Sequence, residues 1–281
     1  MFTILNIDFL ENTVTGSLIS ERVVKVSKVA LPSVIFNLSV QLKTTCIKAR
    51  KRLENMEKVK LVNNVNRFDQ SMIMEILQAA DKTSKHILPY YLYDKDIVEF
   101  KFEESKEYIE IPLKGTGEPK VIYRKSQSAL DKLISTYYQG KNYIHVLLKA
   151  VLFHRQQIII EVPKLANKVD LPIIIRTYVQ KYYGKSWVVL GRCSLPEYEF
   201  NKDILFKGTD EVVLDAINHI NNYMPSLGAC FIDLLVGSDG ENYFLRLGGI
   251  REDFFDINED LDFYKKFYEN LIKFKRYNKY V

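Results

Sequence analysis

The sequence LGACFIDLLVGSDGENYFLRLGG, residues 227–249, decides the fold because it has the pattern of a β-hairpin. Two apolar strands flank Asp239-Gly240, and this dipeptide is a strong signal for a tight turn between antiparallel strands. The first strand contains Asp233 and the second contains Arg246. The hairpin therefore predicts an antiparallel sheet in which Asp233 and Arg246 lie on adjacent strands.

The segments before this hairpin add another strand pair and a helix. LPIIIRTYVQKYYGKSWVVLGR, residues 171–192, has the pattern of two strands that meet around Tyr183-Gly184-Lys185. DEVVLDAINHINNYMP, residues 210–225, is an amphipathic helix pattern that ends at Pro225. Strands and helices interleaved with hairpins are typical of an α+β or mixed α/β fold.

A second helix is predicted in FDQSMIMEILQAADKT, residues 68–83. Asp69 precedes the apolar pattern and is expected to be the N-cap. Four apolar positions fall on one side of this helix, and we expect that side to face the core. They are Met72, Ile73, Ile76 and Leu77.

Length and charge restrict the class of protein. The 281 residues are 47% apolar, which is enough for a full-sized core. The net charge of +5, from 40 basic and 35 acidic residues, suits an anionic ligand. It is well below the charge of a dedicated nucleic-acid binder, so nucleic acid is not expected as a partner.

Cysteine spacing and hydropathy indicate the compartment. The three cysteines form no CxxC pair and the four histidines have no metal-ligand spacing, so neither a disulfide framework nor a zinc site is predicted. The N-terminus lacks the basic region of a signal peptide. No apolar run approaches the ~20 residues of a membrane span. We expect a cytoplasmic protein that makes no use of a membrane.

The order of these segments resembles the ATP-grasp superfamily, and within it the spore-coat-associated YheC/YheD-type proteins. The other segments that carry the resemblance are LPSVIFNLS (31–39), VNNVNRFDQSMIMEIL (62–77) and HILPYY (86–91). The resemblance covers roughly residues 30–255. It implies an ATP-grasp fold with a short pre-grasp region (1–60), a lid subdomain (61–155) and a C-terminal subdomain with a C-terminal helix (156–281).

The resemblance also implies a chemistry, in which ATP phosphorylates a carboxylate and an amine attacks the acyl phosphate. Magnesium in such a site needs oxygen ligands. The family pattern has an Asp on the first strand of the terminal hairpin, then a Glu and an Asn two apart on the second. Here these positions hold Asp233, Arg246 and Gly248. Asp233 is the sole retained ligand position, so we expect magnesium to bind poorly, and a pair with Arg246 is favoured over metal ligation.

Five further residues stand at or near the nucleotide positions of the family. Arg176 matches the phosphate-contacting arginine, and Gln156 matches the hinge glutamine beside adenine. The family pattern also has two nucleotide-binding lysines. Gln70 stands in place of the first, at the start of a helix, and only Lys114 and Lys120 lie near the position of the second. Each match has a structural alternative, since a strand arginine is often an ion-pair partner or a surface residue. A glutamine pair at 156–157 can equally be the polar edge of a strand.

These departures predict a catalytically degenerate ATP-grasp protein that acts as a binding or scaffolding partner. Its expected partner is an intact ATP-grasp paralogue or a peptide or protein substrate, in the cytoplasm of a spore-forming cell, and ATP is the cofactor that the resemblance implies. The alternative is an active ATP-dependent carboxylate–amine ligase in which Lys114 or Lys120 and Arg246 supply the positive charge. Nucleic-acid binding by the basic C-terminal helix is disfavoured against a solvated helix.

Overall fold

A computed structural model of the chain divides it into two compact units. The first comprises Met1–Asn37 and Gln41–Asn64, and the second comprises Leu38–Val40 and Val65–Val281. In the described part of the chain, no helix is both long enough and apolar enough to cross a membrane. The residues described are 2–20, 23–37, 44–94, 107–114, 120–122, 156–162, 173–182, 186–195, 206–237, 239–250, 265–267 and 269–270.

The first unit joins a three-stranded antiparallel sheet to a strand–helix–strand element. The sheet has the order β1-β2-β3, and β4 pairs in parallel with β5 across the intervening helix α1. Ile35, Leu53 and Val59 form its small buried core. Its elements are β1 (Phe2–Asp8), β2 (Thr13–Ser20), β3 (Val23–Ala30), β4 (Val34–Phe36), α1 (Thr44–Glu54) and β5 (Lys60–Val62).

Within the described residues, the second unit contains two four-stranded antiparallel sheets, three helices between residues 70 and 223, and the helical residues 265–267 and 269–270. One sheet, here called the β6–β9 sheet, has the order β6-β9-β7-β8, and the other, the C-terminal sheet, has the order β11-β10-β12-β13. The elements are α2 (Gln70–Gln78), α3 (Asp81–Ser84), β6 (Tyr90–Asp94), β7 (Glu107–Pro112), β8 (Lys120–Ile122), β9 (Gln156–Val162), β10 (Ile174–Lys181), β11 (Trp187–Leu195), α4 (Thr209–Tyr223), β12 (Ala229–Val236) and β13 (Asn242–Gly249).

The terminal hairpin is confirmed. Strands β12 and β13 pair in antiparallel register, and Asp233 lies opposite Arg246. Gly240 has a φ of 81°, a left-handed conformation that glycine adopts at little cost, which explains its place in the turn. The strand pair β10–β11 and the helix α4 are also present where the sequence predicts them, although the turn at 183–185 lies outside the described residues.

Helix α2 begins as predicted but faces the core differently. The Asp69 side chain accepts hydrogen bonds from the backbone N–H groups of Ser71 and Met72, so it is the N-cap. Ile73, Met74 and Leu77 are buried, whereas Met72 is 40% exposed, so its predicted inward orientation is wrong. The apolar stripe is wide enough for either orientation, and packing of α2 against β13 and α4 selects between them.

Most of the predicted C-terminal helix lies outside the described residues. Residues 265–267 and 269–270 are helical. The Gln180 side-chain Nε2 donates a hydrogen bond to the backbone oxygen of Phe267 at 3.2 Å. This bond attaches the tail to strand β10. The predicted boundaries at residues 60 and 155 stay predictions.

Candidate functional site

Two rows of side chains cross one face of the C-terminal sheet. In the first row, Asp233 of β12 lies between Arg176 of β10 and Arg246 of β13. In the second row, two residues along each strand, Phe231 lies between Tyr178 and Gly248. Residues two apart on a strand share a face, so both rows belong to one surface. The hairpin and β10 together therefore build a single constellation from three strands.

The first row is a buried network of ion pairs. Arg246 Nε donates to Asp233 Oδ2 at 2.7 Å. Arg176 donates from Nε to Oδ1 at 2.8 Å and from Nη2 to Oδ2 at 3.0 Å. The side chain of Asp233 is fully buried, and those of Arg176 and Arg246 are 11% and 3% exposed. Both carboxylate oxygens are thus bonded to guanidinium groups.

The two arginines also decide the charge state of Asp233. Burial by itself would raise the pKa of this carboxyl group, because an ionised group loses its hydration there. The charges and hydrogen bonds of Arg176 and Arg246 outweigh burial and hold the pKa of Asp233 below its ordinary value. Asp233 is therefore an ionised carboxylate that is committed to its two partners.

The second row explains the glycine at position 248. A Cβ atom on Gly248 would overlap the ring of Phe231. That ring is held in place by two cations, since the Cζ atom of Arg176 lies 4.2 Å from its centroid and that of Arg246 lies 5.3 Å away. The ring of Tyr178 meets it edge-on at 6.1 Å. A side-chain ligand at position 248 has no room while Phe231 stays where it is.

The magnesium ion that the resemblance implies does not fit these residues. The one carboxylate at these positions, that of Asp233, is already bonded through both oxygens. Arg246 brings a positive charge to the second ligand position, and Gly248 has no side chain at the third. Among the described residues, no group of three or more His, Cys, Asp or Glu side chains could hold a metal ion. The ion pairs and the packed Phe231 ring can stabilise the sheet, but these residues offer no vacant side-chain oxygen to a hard cation.

The other predicted site residues belong to the β6–β9 sheet and its junction with α2. Lys114 follows β7, is 64% exposed, and its Nζ lies 3.2 Å from Asp69 Oδ2. Gln156 is the exposed first residue of β9, and its backbone oxygen accepts from the N–H of Leu113 at 3.2 Å. Lys120 begins β8 opposite Glu110. Their roles in nucleotide binding stay predictions.

Sequence reasoning missed the role of Gln70, treating it only as a lost lysine. Its side-chain Nε2 donates to the backbone oxygen of Leu247 at 2.8 Å, and its Oε1 accepts from the Leu247 N–H at 3.0 Å. Its own backbone N–H donates to the oxygen of Leu113 at 2.9 Å. A polar residue at the first helical turn was the only available signal, because these partners lie far apart in the sequence.

Comparisons of sequence find no relatives, since no protein-family model and no curated protein matches this chain. Comparisons of structure find similar solved structures. The D-alanine-D-alanine ligase of Coxiella burnetii is similar with a TM-score of 0.53 at 9% identity, over 95% of this chain and 76% of that one. The D-alanine-D-alanine ligase of Helicobacter pylori gives 0.50 at 13% identity, over 92% and 77%.

A third solved structure agrees with these two. D-alanyl-alanine synthetase A of Vibrio cholerae O1 biovar eltor gives a TM-score of 0.51 at 10% identity, over 94% of this chain and 77% of that one. At such low identities the likeness concerns the fold. The predicted fold class is thereby confirmed, and this chain has the mixed α/β fold of the ATP-grasp ligases.

Proposed function

We propose that this chain is a catalytically degenerate ATP-grasp protein that acts by binding a partner. The observation that carries the proposal is the row Arg176–Asp233–Arg246, in which the one carboxylate at the expected metal position is fully buried and bonded on both oxygens. The partner is an intact ATP-grasp paralogue or a peptide or protein. The resemblance to YheC/YheD-type proteins suggests the cytoplasm of a spore-forming cell as its setting.

The physical reason is the difference between a guanidinium group and a metal ion. A magnesium ion in a ligase holds protein oxygens and phosphate oxygens at the same time and neutralises charge that develops on them. Arg246 supplies positive charge, but its Nε bond to Asp233 is 2.7 Å long and its side chain is 3% exposed. A cation that is turned toward its own carboxylate is poorly suited to that task.

The alternative of an active carboxylate–amine ligase requires Arg246 and either Lys114 or Lys120 to replace the ion and the lysine. The contact between Lys114 and Asp69 and the burial of Arg246 both weigh against it. The similar solved structures are D-alanine–D-alanine ligases. Their likeness supports the fold of this chain but does not assign it their substrates. The ligase function is therefore kept as the alternative that the ATP titration below would support if the proposal fails.

The test is a calorimetric titration of the full chain with ATP, in the presence and absence of magnesium. We expect magnesium to change the ATP affinity by less than about threefold, which is below ~0.7 kcal/mol, or ATP not to bind in either condition. Tight ATP binding that strictly requires magnesium would contradict the proposal. In that case the ligase function would take its place.

A further inference from the structure

Positive charge is concentrated in two parts of the chain, residues 1–64 and residues 265–281, and acidic residues elsewhere balance the second part. Residues 1–64 contain ten of the 40 basic residues and five of the 35 acidic ones, so they carry the entire excess of +5. The remaining 30 basic and 30 acidic residues cancel. Within the first unit the excess lies between residues 43 and 60, which include helix α1. A mild bias of the whole chain is thus a strong bias of a small region.

Helix α1 presents three of these cations on one face, here called the α1 basic face: Lys48, Lys51 and Arg52. Their spacing of three and four residues places them side by side on a helix. All three are exposed, and the face lies opposite Leu53, which is 5% exposed and packs in the core of the first unit. Arg50 points elsewhere and lies 3.8 Å from Glu54. Glu54 is also exposed and lies at the border of the α1 basic face, three residues after Lys51.

The turn after the helix adds one more exposed lysine, Lys58, which follows the exposed Glu57. The backbone N–H of Met56 donates to the oxygen of Leu53 at 3.1 Å, and that of Val59 donates to Met56 at 2.9 Å. These two consecutive turns hold the exposed Lys58 at the C-terminal end of α1. Within the described residues neither Lys48, Lys51 nor Lys58 forms an ion pair with another side chain.

A structural explanation accounts for only part of this arrangement. Cations in the last turn of a helix are stabilised by the negative end of its dipole. This explains Lys51 and Arg52, which lie in the last turn of α1. Lys48 lies a turn earlier, and the dipole gives no reason for it. Arg52 is also held in a fixed position, since its Cζ atom lies 4.4 Å from the centroid of the Phe9 ring. An ordered guanidinium loses less freedom when it binds a carboxylate.

The size of the face favours a peptide over a nucleic acid. Nucleic-acid binders make many phosphate contacts along a groove and often stack bases on aromatic rings. Helix α1 has 11 residues and no aromatic residue. Three or four cations in a short patch instead match the side-chain carboxylates of a short acidic segment.

We infer that the α1 basic face, together with Lys58, docks an acidic, carboxylate-rich segment of a partner protein. The inference rests on the proposed function in so far as that function is the binding of a partner, and it names the chemistry of that partner. Arg52 makes a bidentate contact with a carboxylate, while the lysines add charge and accelerate encounter.

The experiment measures binding of the full chain to a fluorescently labelled oligoglutamate peptide by anisotropy, at low and at physiological salt. We expect binding that weakens with salt. The variant K48Q/K51Q/R52Q should bind about tenfold more weakly at low salt, because it loses three contacting charges. The matched control is K82Q/K85Q/K207Q, which removes three exposed lysines of the second unit and should bind as the wild type does.

Three results would overturn the inference. They are no measurable oligoglutamate binding by the wild type, equal weakening in the two triple variants, and tighter binding of an oligonucleotide of the same charge. If K48Q/K51Q/R52Q fails to fold by circular dichroism, K48Q/K51Q/K58Q repeats the test with Arg52 kept on Phe9. The ATP titration is independent of this surface, so magnesium-dependent ATP binding would contradict the proposed function alone, and lost peptide binding the docking surface alone.

Discussion

The Gln70 side chain and the Leu247 backbone form a reciprocal pair of hydrogen bonds, 2.8 and 3.0 Å long, across 177 residues of sequence. Strand β13 is the edge of the C-terminal sheet, and an uncovered edge has backbone groups without partners. Nearby, the Phe244 N–H donates to the oxygen of His86 at 2.8 Å. The N-terminal part of the second unit therefore covers the edge that positions Arg246.

Replacement of Gln70 by leucine should destabilise the protein. The Leu247 N–H and carbonyl would both lose their partner in a site where Gln70 is only 1% exposed, and we expect a cost of about 1–3 kcal/mol. Urea denaturation gives the free energy of unfolding, and hydrogen exchange should be faster at Leu247. The control is Gln78→Leu at an exposed position of the same helix. Equal stability of the two variants would show that the amide contact contributes nothing.

Replacement of Gly248 by alanine should also destabilise the protein. The added methyl group overlaps the Phe231 ring, and moving that ring disturbs its contacts with Arg176 and Arg246. We expect a cost of about 1–3 kcal/mol. A double-mutant cycle with Phe231→Leu provides the check, since the smaller side chain should reduce the penalty of the alanine. Additive costs would mean that Phe231 does not occupy this space.

Asp233 should make stability depend on pH in the acid range. Its folded-state pKa is lowered, so its stabilising contribution is fully present above the ordinary aspartate pKa of about 4 and is lost as the pH falls through the folded value. Asp233→Asn should cost about 3–5 kcal/mol at neutral pH, because it leaves two buried arginines without their carboxylate. Unfolding curves at several pH values should show a shallower acid dependence in the variant. Parallel pH profiles would contradict the ion-pair network.

The sequence predicts the local parts of this fold well. The Asp239-Gly240 turn predicts the hairpin and places Asp233 and Arg246 on adjacent strands, but Asp233 lies opposite Arg246 only because the register shifts by one residue between Asp233 and Leu234. The place of Arg176 depends on β10 pairing with β12, which is set by contacts between distant segments. For that reason the sequence left Arg176 with a choice between an ion pair and an anion contact.

Other features could not be predicted for the same physical reason. The orientation of Met72 depends on which face of α2 finds the sheet, and the function of Gln70 depends on a strand 177 residues away. Part of the position of Phe231, the face of the sheet on which it lies, can be predicted from the sequence. Phe231 lies two residues before Asp233 on the same strand, so alternation places it on the face of the ion pairs.

We propose that Arg246 stands where a ligase of this fold would bind its metal ion, and a thermal melt across a magnesium series tests this placement. Wild type should have a melting temperature that magnesium does not change. Arg246→Glu places a second carboxylate beside Asp233 and should melt lower without magnesium, then regain part of the loss as magnesium rises. Arg246→Gln should melt lower and stay unresponsive, since it adds no anionic ligand. If Arg246→Glu and Arg246→Gln respond identically at every magnesium concentration, Arg246 does not occupy a metal position and the proposed degenerate metal site is wrong.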